Sequence, residues 1–123
     1  MRKIIYQHRI YRSDLKANPD ATYLFGDNLM GIGMGGQAGE MRHEPNAVGV
    51  PTKKAPGNAP LGEYFTDDEY EDNVIAIDRA LAKIPLTCHI VVIPSDGLGT
   101  GLAELDKRAP RTFTYLQERL KFL

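Results

Sequence analysis

The chain lacks most of the features that would assign it to a specialised class. It has one cysteine, Cys88, so no intrachain disulfide can form and a reducing compartment is expected. Its 15 lysines and arginines are balanced by 16 aspartates and glutamates. A general nucleic-acid binder would carry a basic excess or patch, and here the basic residues are scattered in short pairs such as Lys53-Lys54 and Lys107-Arg108. No apolar run is long enough to span a bilayer, and the opening Met-Arg-Lys-Ile-Ile-Tyr has no signal-peptide core. The expectation is a soluble, cytoplasmic protein. His8, His43 and His89 have no metal-ligand spacing, and neither a metal nor a cofactor is expected.

Glycine, by contrast, is concentrated. Most of the 12 glycines fall in two loops, each directly after a strand-like run. The first is Gly26-Asp27-Asn28-Leu29-Met30-Gly31-Ile32-Gly33-Met34-Gly35-Gly36-Gln37-Ala38, and the second is Pro94-Ser95-Asp96-Gly97-Leu98-Gly99-Thr100-Gly101-Leu102. Residues without Cβ let backbone approach a ligand closely, and clustered N–H groups make a nest for anions. Two such loops suggest a pocket for a phosphate-bearing ligand.

A length of 123 residues suits a single domain, 1–123. Strand-like runs occur at Ile4-Tyr6 with Ile10-Tyr11, at Thr22-Phe25, at Ala47-Val50 (stopped by Pro51) and at Cys88-Ile93. A helical turn capped by Ser13 is expected over Ser13–Pro19, and a short helix over Gly36–His43. The stretch Ala55–Gly62 has loop composition. Thr66-Asp67-Asp68-Glu69 reads as a capping box opening a helix whose apolar face is Tyr70, Val74, Ile77, Leu81 and Ile84. Pro85 ends that helix. Pro110 opens a last helix with Phe113, Leu116, Leu120 and Leu123 on one face. Alternating strands and helices, with Cys88–Ile93 apolar throughout, predict an α/β domain with a mixed or parallel sheet.

Gly31-Ile32-Gly33-Met34-Gly35-Gly36 satisfies G-x-G-x-x-G. A dinucleotide fold also needs an acid at the end of the next strand, roughly 20 residues on. Here that strand runs into Pro51-Thr52-Lys53-Lys54, with no carboxylate before Glu63. A P-loop is excluded because there is no Gly-Lys-Ser/Thr triplet.

What remains resembles a macrodomain, the ADP-ribose-binding module, over about Thr22 to Leu105. Asp27-Asn28 followed by Gly33-Met34-Gly35-Gly36-Gln37-Ala38 looks like its first ligand loop. Val50-Pro51-Thr52-Lys53-Lys54 looks like the lysine-bearing strand end of the branch that includes terminal ADP-ribose protein glycohydrolase. Ile93 to Leu102 is similar to its second phosphate loop, entering a short helix near Ala103. The resemblance implies a compact three-layer α/β fold with a mixed central sheet flanked by helices. It also implies binding of ADP-ribose or a related NAD-derived nucleotide.

Under that reading the diphosphate lies on Ser95, Gly97, Leu98, Gly99, Thr100, Gly101 and Leu102. Gly33, Gly35, Gly36 and Gln37 pass under a ribose, and Asp27 and Asn28 bond its hydroxyls or an adenine amine. The lysine branch further implies hydrolysis of an ADP-ribosyl linkage on protein or nucleic acid, with Lys53 at the anomeric carbon. Strand alternation points Lys54 to the opposite face. The family's acidic position is Ala103 here, so the nearest candidate acids are Asp96 and Glu104. Two alternatives remain open. One is a nucleotide-sequestering protein on the same fold, without catalysis. The other is an interaction protein whose glycine loops, with Asp27-Asn28 as an ordinary turn, are only structural.

Overall fold

The computed structural model describes residues 2–56 and 63–123. The strands are β1 (Lys3–Gln7), β2 (Thr22–Asn28), β3 (Ala47–Lys53) and β4 (Ile90–Pro94). The helices are α1 (Arg12–Ala17), α2 (Gln37–Met41), α3 (Tyr70–Leu81), α4 (Leu105–Arg108) and α5 (Pro110–Lys121). The strands form one sheet in the order β1-β4-β2-β3, and every strand pair in it is parallel. The mixed sheet expected from the resemblance is therefore corrected. Among the described residues antiparallel geometry occurs only as an isolated bridge between Lys53, the last residue of β3, and Tyr64. Each consecutive strand pair is joined through a helix, which is the connection parallel strands require.

Helices cover both faces of the sheet. On one, Leu15 of α1 and Ala38 and Met41 of α2 pack with Tyr23, Phe25 and Val92. On the other, Ile77, Ala80 and Leu81 of α3, Leu105 of α4, and Leu116 and Leu120 of α5 pack on Leu24, Val48, Val50, Val91 and Ile93. Alternation along β2 sends Tyr23 and Phe25 to one cluster and Leu24 to the other, as period-two geometry demands. The result is a three-layer α/β domain. Among the described residues no helix is long and apolar enough to cross a membrane.

Local readings differ from the structure where tertiary contacts decide the outcome. Ile10 and Tyr11 lie outside β1, and Ile10 is buried in the α1/α2 layer. Ser13 lies inside α1 and does not cap it; the Asp14 carboxylate reaches back to the Tyr11 amide at 2.9 Å. Pro51 does not stop β3, because β3 is an edge strand where a missing N–H is tolerated. Helix α2 is shorter than expected, and β4 begins at Ile90, so Cys88 precedes it as a buried thiol beside the Thr22 hydroxyl at 3.2 Å. The loop expected over Ala55–Gly62 falls outside the described residues from position 57 onward.

The capping box at Thr66 also does not form. The Thr66 side chain makes no cap bond, and a 3₁₀ turn (Asp67–Glu69) precedes α3. Asp67 instead caps α5, accepting from the amides of Arg111 (2.8 Å) and Thr112 (3.0 Å) and from the Thr112 hydroxyl (2.9 Å). Burial pushes its pKa up, but these hydrogen bonds and the Arg111 charge outweigh that and hold the carboxyl below its ordinary value.

Candidate functional site

All four strands end on the same edge of the sheet. The chain leaving β2 continues to α2 on one face, while the chain leaving β4 continues to α4 and α5 on the other. Neighbouring parallel strands whose connections diverge in this way leave a crevice beyond their carboxyl ends. Here β2 and β4 pair only at Thr22–Val91 and Tyr23–Val92. A cleft of about 1030 Å³ opens beyond these ends, lined by both glycine loops, the His8–Tyr11 segment, Thr52 and Lys53. The loops nearly touch at its base: a methyl on Gly26 would stand 3.8 Å from the Gly99 amide nitrogen.

The first loop is held by side chains. Arg42, only 8% exposed, donates to the carbonyls of Gly31 (2.8 Å), Gly33 (2.8 Å) and Ile32 (3.3 Å). It also grips the Asp27 carboxylate with two bonds of 2.6 and 3.1 Å, and it lies over the Phe25 ring at 5.3 Å. Five donors in a planar fork make arginine suited to this work. Glycine at position 49 makes room for the carboxylate, since a Cβ there would come within 3.0 Å of the Asp27 Cβ. Asn28 is likewise engaged inside the loop, donating to the Ile32 carbonyl (2.8 Å) and accepting from the Met30 amide (3.0 Å). Gln37 pairs with both backbone groups of Ile10, at 3.1 and 2.9 Å. Asp27, Asn28 and Gln37 thus line the cleft with their polar groups already committed to shaping it.

The second loop is held by its backbone. Gly97 donates to Pro94, Glu104 to Gly101 and Leu105 to Gly99, while the Thr100 hydroxyl closes on the Asp96 carbonyl at 2.8 Å. Gly99 has φ +84°, and a Cβ on it would sit 2.9 Å from the Leu105 Cβ, so glycine is required there. Among the described residues the amides of Leu98, Gly99, Thr100, Gly101, Leu102 and Ala103 have no protein acceptor. Clustered N–H groups with no internal acceptor are what an anion needs. Helix α4 is a single turn preceded by Glu104 in the left-handed region, and it adds little dipole.

Most of the expected site residues meet in the cleft: Asp27, Asn28, Gly33, Gly35, Gly36 and Gln37 from the first loop, and Gly97 to Leu102 from the second. Ser95 does not line it; its amide ties β4 to β1 through the Gln7 carbonyl at 3.0 Å. Lys53 and Asp96 line it, whereas Glu104 lies outside, paired with Arg108 at 2.9 Å. Thr52 and Lys53 are both buried cleft residues, because a register shift lets Asn28 pair with Lys53 after Asp27 has paired with Pro51. The bulge overrides strict alternation. Lys54 faces away, bonded to Glu69 at 2.5 Å.

Sequence reading missed the His8–Tyr11 wall, Glu40 and Arg42. The wall was legible in principle, because every parallel strand end borders such a crevice. Arg42 carried no signal, being 15 positions from its carboxylate. Among the described residues no cluster of ligating side chains could hold a metal. No curated protein and no solved structure matches the chain. A family profile matches residues 5–119, nearly the whole length, and the chain therefore belongs to that family of unknown function, DUF7831.

Proposed function

We propose that the cleft binds ADP-ribose or a related NAD-derived nucleotide, in the manner of a macrodomain. The observation that carries this reading is the run of amides from Leu98 to Ala103, without protein acceptors among the described residues, on the wall of a cleft at the diverging ends of β2 and β4. Such amides suit a diphosphate. A volume of about 1030 Å³ is at the upper end for small-ligand pockets and accommodates a nucleotide. The glycines of the first loop leave that wall without side chains where a ribose would rest. Calorimetry with ADP-ribose, AMP and NAD is the test. Binding of ADP-ribose with weaker binding of AMP is expected; no heat with any of them at high concentration ends the reading.

Hydrolysis of an ADP-ribosyl linkage on protein or nucleic acid is the extension that Lys53 brings, with Asp96, which also lines the cleft, as the candidate acid. Lys53→Ala should then abolish release of ADP-ribose from a modified substrate, and unchanged turnover would rule out a lysine mechanism. The position of Glu104, outside the cleft and engaged with Arg108, favours a second reading: binding without turnover. In that case ligand binds and every ADP-ribosylated substrate stays intact.

A further inference from the structure

Large apolar side chains exposed to water are not spread evenly over this surface. Eleven are exposed among the described residues, and six of these lie on the two glycine loops or the cleft wall at 8–11. Leu29, Met30, Ile32 and Met34 fall between positions 29 and 34 of the first loop, each at least 49% exposed. Leu102 of the second loop is 65% exposed, and Tyr11 stands on the wall. Ile32, Leu102 and Tyr11 also line the cleft, so the apolar rim is continuous with it. Single exposed apolar residues need no explanation, whereas a cluster marks a surface that another molecule covers. The backbone beneath the cluster is pinned. Arg42 holds the carbonyls of Gly31, Ile32 and Gly33, and the Met34 carbonyl oxygen lies so close to Gly39 that a Cβ there would stand 2.5 Å from it. A fixed backbone lowers the ordering cost of binding.

Charge decides what that molecule is. Neither 26–38 nor 94–104 contains a lysine or arginine. Among the described residues that line the cleft, Arg9 is the one exposed lysine or arginine, and it lies over the Tyr11 ring at 5.7 Å. A polynucleotide would bring a phosphate with every nucleotide and needs a row of cations to meet them. An uncharged rim rich in methionine and leucine suits the apolar side chains of a polypeptide, and such side chains adapt to varied partners. We propose that the rim is a docking surface for a protein that carries the nucleotide, with apolar residues beside the attachment point resting on Met30, Ile32, Met34 and Leu102. The inference rests on the nucleotide-binding reading above and adds to it how the carrier is recognised.

The test is calorimetry with four ligands: free ADP-ribose, an ADP-ribosylated peptide with leucine and valine beside the modified residue, the same peptide with serine and glutamine there, and an ADP-ribosylated single-stranded oligonucleotide. If a modified ligand is turned over, KM is compared instead. The apolar peptide should bind about tenfold tighter than free ADP-ribose, and the polar peptide and the oligonucleotide within about threefold of it. That gain should persist from low to high salt. Met30→Ser combined with Met34→Ser should remove most of the gain and keep free ADP-ribose within about twofold, with a thermal melt to check the fold. An apolar peptide no tighter than free ADP-ribose, or an oligonucleotide tighter than the apolar peptide, overturns the docking surface and leaves nucleotide binding standing. Equal weakening of free ADP-ribose in the double variant also overturns it, because the methionines then serve the nucleotide itself. So does a wild-type dimer in sedimentation that the double variant dissociates, which would assign the rim to a second copy. Wild type that binds none of the four overturns both readings.

Discussion

The two glycine loops look alike in the sequence and are built in opposite ways. The first is a scaffold of side chains: Arg42, Asp27, Asn28 and Gln37 use their polar groups on backbone and on one another. The second is shaped by its own backbone and by Gly99, and it leaves a run of amides without acceptors among the described residues. Glycine content therefore reports where backbone must bend or pass closely. Whether a ligand is served depends on which polar groups remain once the loop has been built.

The largest test of this contrast removes the clamp on the first loop. Arg42→Ala leaves the Asp27 carboxylate buried without its partner and frees three carbonyls, at an expected cost of about 3–5 kcal/mol. Amide exchange should accelerate over 29–36 and stay slow over 97–104. Equal acceleration in both loops would show that they are one unit and break the comparison. Next in size is Gly99→Ala. The positive φ and the contact with Leu105 should together cost about 2–4 kcal/mol by denaturant unfolding and displace the amides that face the cleft. Nucleotide affinity should fall by more than the stability loss explains at saturating folded protein. Smallest is Gly35→Ala, where a methyl meets nothing within 4 Å and φ is not positive. Its stability should stay within about 0.5 kcal/mol of wild type. A large loss there would mean that the first loop is as tightly constrained as the second.

Much of the architecture was legible in the residues. The apolar faces of Tyr70–Leu81 and Pro110–Lys121 depend on 3.6-residue periodicity, and Pro110 does open α5. Those signals are local, because burying a stripe needs only the stripe and something to cover it. Signals that failed were contested by distant partners. Thr66 lost its capping role when Asp67 turned to α5, and Pro51 stayed in β3 because its strand lies at the edge. In the cleft, the residue types at the loops could be read, but not their commitments. Asp27 is equally suited to a ribose hydroxyl and to an arginine, and only the fold brings Arg42 to it.

By itself the sequence determined that strands alternate with helices and that two glycine loops follow strands, since each is a matter of neighbours along the chain. The tertiary structure decided the all-parallel order β1-β4-β2-β3, the burial of Lys53 against Tyr64, and the sequestering of Asp27 by Arg42. The reason is physical. Periodicity and turn chemistry act over a few residues, whereas charge pairing and strand order are settled between segments that only folding brings together.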